Sequence, residues 1–177
     1  MKPISMLFCL LVLILRPYKI VAVGGATDLI TTACDRTLYK ALCNAVLNSD
    51  PASQGSKDLS TLDKVVLTHA KSNASNIHQQ AVSLHEKSKD DATKQALEDC
   101  IENYQDATDQ LDESLHALQS KGYDDINTWV TAAMSDADSC EEGFTDQGRK
   151  SPLSNSSKTF NHLCSIVLAL TNQLKGR

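Results

Sequence analysis

The chain has 177 residues, with 17 Lys and Arg against 22 Asp and Glu, for a formal charge of -5. That length fits one domain with a substantial core. The acidic balance argues against nucleic acid and anionic polysaccharide, which the long-range field repels, and favours a basic protein partner.

Residues 1–25 read as a secretory signal peptide. Lys2 supplies the positive start, Ile4 to Leu15 the apolar run, and Ala22, Gly24, Gly25 and Ala26 the small residues where a peptidase cuts. The run is shorter than the roughly 20 residues of a membrane span. The alternative is a retained anchor. Residues 26–177 are expected to form one helical domain with no membrane attachment after signal removal. Lys2, Arg16 and Lys19 leave with the leader, so 14 basic residues face 22 acidic ones and the charge becomes -8.

The first mature segment, 27–47, is short and helical in character. Thr27 or Asp28 is placed to cap the turns leading to Cys34, and Thr37 to cap those leading to Cys43. The two cysteines lie nine residues apart, a spacing suited to a small bent hairpin. A bridge here would close a short loop worth roughly 2–3 kcal/mol. Asn48-Ser49-Asp50-Pro51 ends the segment.

Four longer segments follow, each with an apolar stripe at helical spacing. The second segment, 58–85, carries Leu59, Leu62, Val66, Ala70, Ala74, Ile77, Ala81 and Leu84. The third, 91–120, carries Leu97, Cys100, Tyr104, Ala107, Leu111, Leu115 and Leu118. Asp90 or Asp91 at its start suits the helix dipole, and Gly122 after Lys121 is a suitable C-terminal stop. The fourth begins near Tyr123 and carries Ile126, Val130, Ala133, Ala137 and Cys140, ending near Gly143. Trp129 and Met134 lie beside that stripe, where core or core-edge packing is the expectation for both, with an interface role for Trp129 as the alternative. The fifth carries Phe160, Leu163, Val167, Leu170 and Leu174. No alternating strand pattern is present. The expected fold is all-α: an antiparallel up-down-up-down four-helix bundle with an N-terminal hairpin extension.

Cys100 lies 22 residues before Gly122 and Cys140 lies 18 after it. At about 1.5 Å per residue, two antiparallel helices hinged there bring these cysteines to nearly one height. Both sit on core stripes, so the pattern predicts a stapled pair of helices. With Cys9 gone in the leader, five cysteines remain, which suggests two bridges and a spare thiol. Cys164 sits one position past Leu163 on the apolar side and reads as a buried free thiol. Asn73-Ala74-Ser75 and Asn155-Ser156-Ser157 permit N-glycosylation.

Chemistry of the catalytic kind is not indicated. There is no Gly-x-Ser-x-Gly elbow, phosphate-binding glycine loop or His-Glu-x-x-His helix. His78 and His85 are seven residues apart without an organised carboxylate, which reads as surface rather than metal ligation. No cofactor is expected. The distinctive charged feature is on the third segment, where Asp99, Glu102, Asp106, Asp109 and Glu113 step by 3, 4, 3 and 4 along one face. Like charges at such spacings cost about 0.2–0.5 kcal/mol per pair. The stripe is either a solvated face or a docking strip for a basic surface, where binding relieves the repulsion. A small-ligand-binding bundle is a different class, hinted at only by Ala70, Ala74 and Ala107 inside the stripes.

Taken together, the chain resembles the plant invertase and pectin methylesterase inhibitors. The resemblance rests on the segment Cys34 to Cys43, on Cys100, and on the block from Asn127-Thr128-Trp129-Val130 to Cys140-Glu141-Glu142-Gly143-Phe144. It extends to Ser151-Pro152-Leu153 and to the run from Leu163 to Leu170. It implies bridges Cys34–Cys43 and Cys100–Cys140 with Cys164 free. It also implies an extracellular inhibitor of the apoplast or cell wall, with the vacuole as the alternative, that blocks a carbohydrate-active enzyme one-to-one without chemistry of its own. Invertase inhibitors often carry Pro-Lys-Phe near the hinge; here the hinge reads Lys121-Gly122-Tyr123-Asp124-Asp125-Ile126. That departure, with the Asn127-Thr128-Trp129-Val130 block, makes pectin methylesterase the expected partner and acid invertase the alternative.

Overall fold

A computed structural model describes residues 24–176. The expected signal peptide lies outside the described residues except for Gly24 and Gly25. Six helices follow in order: α1 (Gly24–Cys34), α2 (Lys40–Ser49), α3 (Leu59–Lys87), α4 (Asp91–Gln119), α5 (Tyr123–Asp146) and α6 (Ser154–Lys175). No strand occurs among the described residues.

Helices α3 to α6 form the antiparallel bundle. Their apolar stripes meet in one core, in which Leu62, Val66, Ala70, Ile77, Cys100, Tyr104, Leu111, Ile126, Val130, Ala137, Phe160, Val167 and Leu170 have no exposed surface. The Tyr104 ring meets the edge of Phe160 at 5.7 Å. Leu84, Leu115 and Leu174, near helix ends, are only partly buried. Both ends of the bundle are tied by polar contacts. At the far end, Arg149 grips Asp90 through two hydrogen bonds, at 3.2 and 2.9 Å. At the hinge end, Asn127 meets Asn172 at 3.3 Å and Lys175 pairs with Asp124.

The bridges are Cys34–Cys43 and Cys100–Cys140, and Cys164 is a buried free thiol. Burial pushes the Cys164 thiol well above its ordinary range. The α1–α2 hairpin does not project away from the bundle. Ile30, Ala33 and Leu47 are buried against it. Gln173 of α6 donates to the Ala33 carbonyl at 3.1 Å, and the Tyr39 ring stacks on His162 of α6 at 3.7 Å.

Several local expectations are corrected. Helix α1 begins at Gly24, so Thr27 and Asp28 lie within it and not at its start. Thr37 does not cap α2; its hydroxyl donates back to the Cys34 carbonyl at 2.9 Å, and the helix starts at Lys40. Asp58 and Asp90 do cap α3 and α4, accepting from the amides of Ser60 and Thr93. Helix α5 runs past Gly143 to Asp146 because Phe144 supplies one more buried turn. The left-handed residue at the end of α4 is Lys121, at φ 59°, and not Gly122. A Cβ on Gly122 would meet the tip of the exposed Asp125 side chain, at 2.9 Å, and the Ala117 carbonyl, at 3.4 Å, so a slight turn of Asp125 would make room for it.

Candidate functional site: an acidic seam between α4 and α5

The core stripe of α4 fixes where its charged residues point. Turning Leu97, Cys100, Tyr104, Ala107 and Leu111 inward leaves Asp99, Glu102, Asp106, Asp109 and Glu113 exposed, all five on one side. Asp99 faces α5, its Oδ2 lying 3.7 Å from where a Cβ of Gly143 would be. One heptad along, Asp106 lies close enough to Asp136 of α5 to act on its ionisation. The stripe therefore borders the α4–α5 seam.

Asp136 extends it. It is half-buried, and its Oδ2 has no hydrogen-bond partner. Burial raises its carboxyl above the usual range; Gln110 works against this, and the charge of Asp106 adds to the rise. The antiparallel register defined by these pairs continues towards the hinge. About two turns on, it brings Trp129 level with Glu113. Trp129 is 39% exposed, which corrects the expectation of core-edge packing. It shares the seam-facing edge of α5 with Asp136 and Gly143, at heptad spacing. Met134, by contrast, is partly buried against the core.

The staple sits directly behind this surface. The Cα atoms of Cys100 and Cys140 are 4.5 Å apart, which locks α4 against α5 at one register. A surface held this way loses little freedom on binding. The site presents fixed carboxylates with one flat aromatic ring beside them, a pattern suited to cationic side chains.

Trp129, Asp136 and Gly143 were not connected to the acidic stripe from sequence. The signal was present: they step by sevens on the fourth segment, matching Asp99, Asp106 and Glu113 on the third. Both sets mark the edge beside a coiled seam.

Among the described residues, two shallow grooves lie away from the seam. One, of about 330 Å³, is lined by Asp50, Ala52, Thr61, Lys64, Val65 and Thr68. The other, of about 300 Å³, is lined by Lys150, Ser151, Pro152, Ser154 and Asn155. Asp50 is committed to His69 at 3.0 Å and to the Ala52 amide at 2.8 Å. Among the described residues no group of three or more His, Cys, Asp or Glu could hold a metal ion, and no helix is long and apolar enough to cross a membrane.

The two sequons occupy different settings. Asn73 lies in the middle of α3, half-buried, with its Oδ1 buried and unpartnered. Asn155 is exposed in the first turn of α6.

Comparison with known proteins matches residues 28–170 to the family model described as plant invertase/pectin methylesterase inhibitor. A pectinesterase inhibitor from Actinidia deliciosa is 33% identical over 156 residues, covering 88% of this chain and 84% of that protein. A protein from Platanus orientalis, provisionally named an invertase inhibitor, is 29% identical over 156 residues, covering 84% and 91%. The crystal structure of a mutant form of a pectin methylesterase inhibitor from Arabidopsis superposes with a TM-score of 0.70 at 29% identity. It covers 81% of this chain and 95% of that one.

Proposed function

Because the chain belongs to the plant invertase/pectin methylesterase inhibitor family, we propose that it is a secreted protein inhibitor of pectin methylesterase. In this reading residues 1–25 are a signal peptide and residues 26–177 the mature domain, delivered to the cell wall. The domain binds the enzyme one-to-one and covers its substrate cleft. It performs no reaction of its own and takes no cofactor.

The observation that carries the partner's chemistry is the row Asp99, Glu102, Asp106, Asp109 and Glu113, exposed on α4 and joined by half-buried Asp136 of α5. Five carboxylates on one helix side repel one another, and Asp136 is costly to ionise where it sits. Lysine or arginine side chains docking on the seam would relieve both. Trp129, large, rigid and partly exposed, is the residue type that anchors protein interfaces. The rigid staple beneath the seam lets this surface bind without first ordering itself. The family also includes inhibitors of acid invertase, which stands as the second target. The hinge here lacks the Pro-Lys-Phe triplet often found among invertase inhibitors.

Charge reversal tests the surface. Asp106→Lys with Asp109→Lys should weaken inhibition of pectin methylesterase at least tenfold at low salt, and added salt should narrow the gap. Unchanged inhibition by the folded double variant would show that the stripe is only a solvated face.

A further inference from the structure

Asp63 of α3 is a carboxylate with no exposed surface. Its Oδ2 accepts a hydrogen bond from the Thr171 hydroxyl of α6 at 2.7 Å. Its Oδ1 is buried without a partner. Asp63 shares its helix face with Ala70, Ala74 and Ala81, all fully buried, so it points into the bundle and not along its flank.

The pair lies at the hinge end of the bundle. Asn172, next to Thr171, meets Asn127 of α5, and Gln173 holds the Ala33 carbonyl of the hairpin. Leu59, one turn before Asp63, is fully buried. The α3–α6 seam that Asp63 and Thr171 join is therefore the footing on which α1 and α2 pack.

The charged groups around this level are engaged elsewhere or face solvent. On α3, Lys64 is exposed and His69 holds Asp50. On the hairpin, Lys40 pairs with Asp35, and Arg36 is exposed. On α6, His162 stacks on Tyr39 and Lys175 pairs with Asp124. On α4, Asp112 pairs with Lys71, while Glu113, His116 and, at the hinge, Lys121 are exposed. None of these shares a hydrogen bond or ion pair with Asp63; its interaction is with Thr171.

A protonated carboxyl is neutral and tolerates this site. An ionised one can only accept hydrogen bonds, and one of its two oxygens has nothing to accept from. We propose that Asp63 and Thr171 form a proton-keyed latch, closing the α3–α6 seam and seating the hairpin while Asp63 is protonated, and loosening both when it ionises. Burial pushes the Asp63 carboxyl up to about 7, against the opposing hydrogen bond from Thr171. An unfolded or water-exposed Asp63 releases its proton near pH 4. The closed state thus holds an extra proton between about pH 4 and 7. Its advantage declines across that window and is flat above it. The latch is independent of which enzyme the protein inhibits.

Hydrogen–deuterium exchange on the oxidised protein at pH 5 and pH 8, corrected for intrinsic exchange, tests this. The hairpin and the hinge-end turns of α3 and α6 should lose protection at least tenfold more at pH 8 than at pH 5. Asp63→Asn should remove that difference. Thr171→Val should carry the decline to higher pH, since the hydroxyl favours the ionised form. Direct titration of the Asp63 carboxyl carbon by NMR needs no variant and should show a midpoint near 7. A midpoint near 4, or an Asp63→Asn protein with unaltered pH dependence, would overturn the latch.

Discussion

The Ser157 hydroxyl on α6 donates to Glu141 on α5 at 2.8 Å, and the same carboxylate takes Ser151 at 2.8 Å and Ser154 at 2.7 Å. Glu141 therefore gathers the end of the α5–α6 loop and the first turn of α6 onto α5. Ser151 also accepts from the Leu153 amide at 3.1 Å, which fixes the chain just before α6, where no side chain caps the helix.

Charge-assisted hydrogen bonds of this kind contribute more than neutral ones. Glu141→Ala should lower unfolding free energy by roughly 2–4 kcal/mol, since three hydroxyls lose their acceptor. Glu141→Gln, which keeps an acceptor oxygen, should cost less. Chemical denaturation of the three proteins checks the order. Equal stability of Glu141→Ala and the unaltered protein would mean that water replaces the carboxylate without loss.

The bundle was legible because its stripes are regular. The steps of three and four that place Leu62, Cys100, Val130 and Phe160 inward are all that a four-helix core requires. The pairing of Cys100 with Cys140 followed from their similar distances to the hinge, 22 and 18 residues, together with the family resemblance. Asp63 was not legible: it lies one position from Leu62, and a charged residue there reads as surface until its burial beside Thr171 is seen. Cap positions failed for a related reason. Thr37 has the right chemistry for a cap, yet the turn closed by the Cys34–Cys43 bridge uses its hydroxyl. Within the acidic seam, the α4 half could be read from one helix, but Asp136 and Trp129 join it only through the register between two.

The hinge offers a backbone test. Lys121 adopts φ 59°, a region that costs a residue with a Cβ roughly 1 kcal/mol or more. Its amide hydrogen-bonds the Leu118 carbonyl at 3.2 Å, and Gly122 returns to Ala117 at 2.8 Å, so the turn is well determined. Lys121→Gly should raise stability by about 0.5–1 kcal/mol, read as a higher melting temperature. A lower one would mean that the Lys121 side chain contributes more than its strained backbone costs.

Glycan placement separates the two sequons. A glycan on Asn73 would have to leave the middle of α3 from a half-buried position, whereas Asn155 is exposed at a helix start. Peptide mapping of protein secreted from plant cells should find a glycan on Asn155 and none on Asn73. Occupancy at Asn73 would contradict this, because it requires a rearrangement of α3.

The central claim is tested most directly by titrating the oxidised mature protein into a plant pectin methylesterase and, separately, into a plant acid invertase, near pH 5. The account predicts that methylesterase activity falls linearly to a plateau at one inhibitor per enzyme, with invertase unaffected. Loss of invertase activity alone would reassign the target within the family. Full activity of both enzymes at stoichiometric excess would contradict the inhibitor function itself, leaving a stapled bundle whose acidic seam serves another partner.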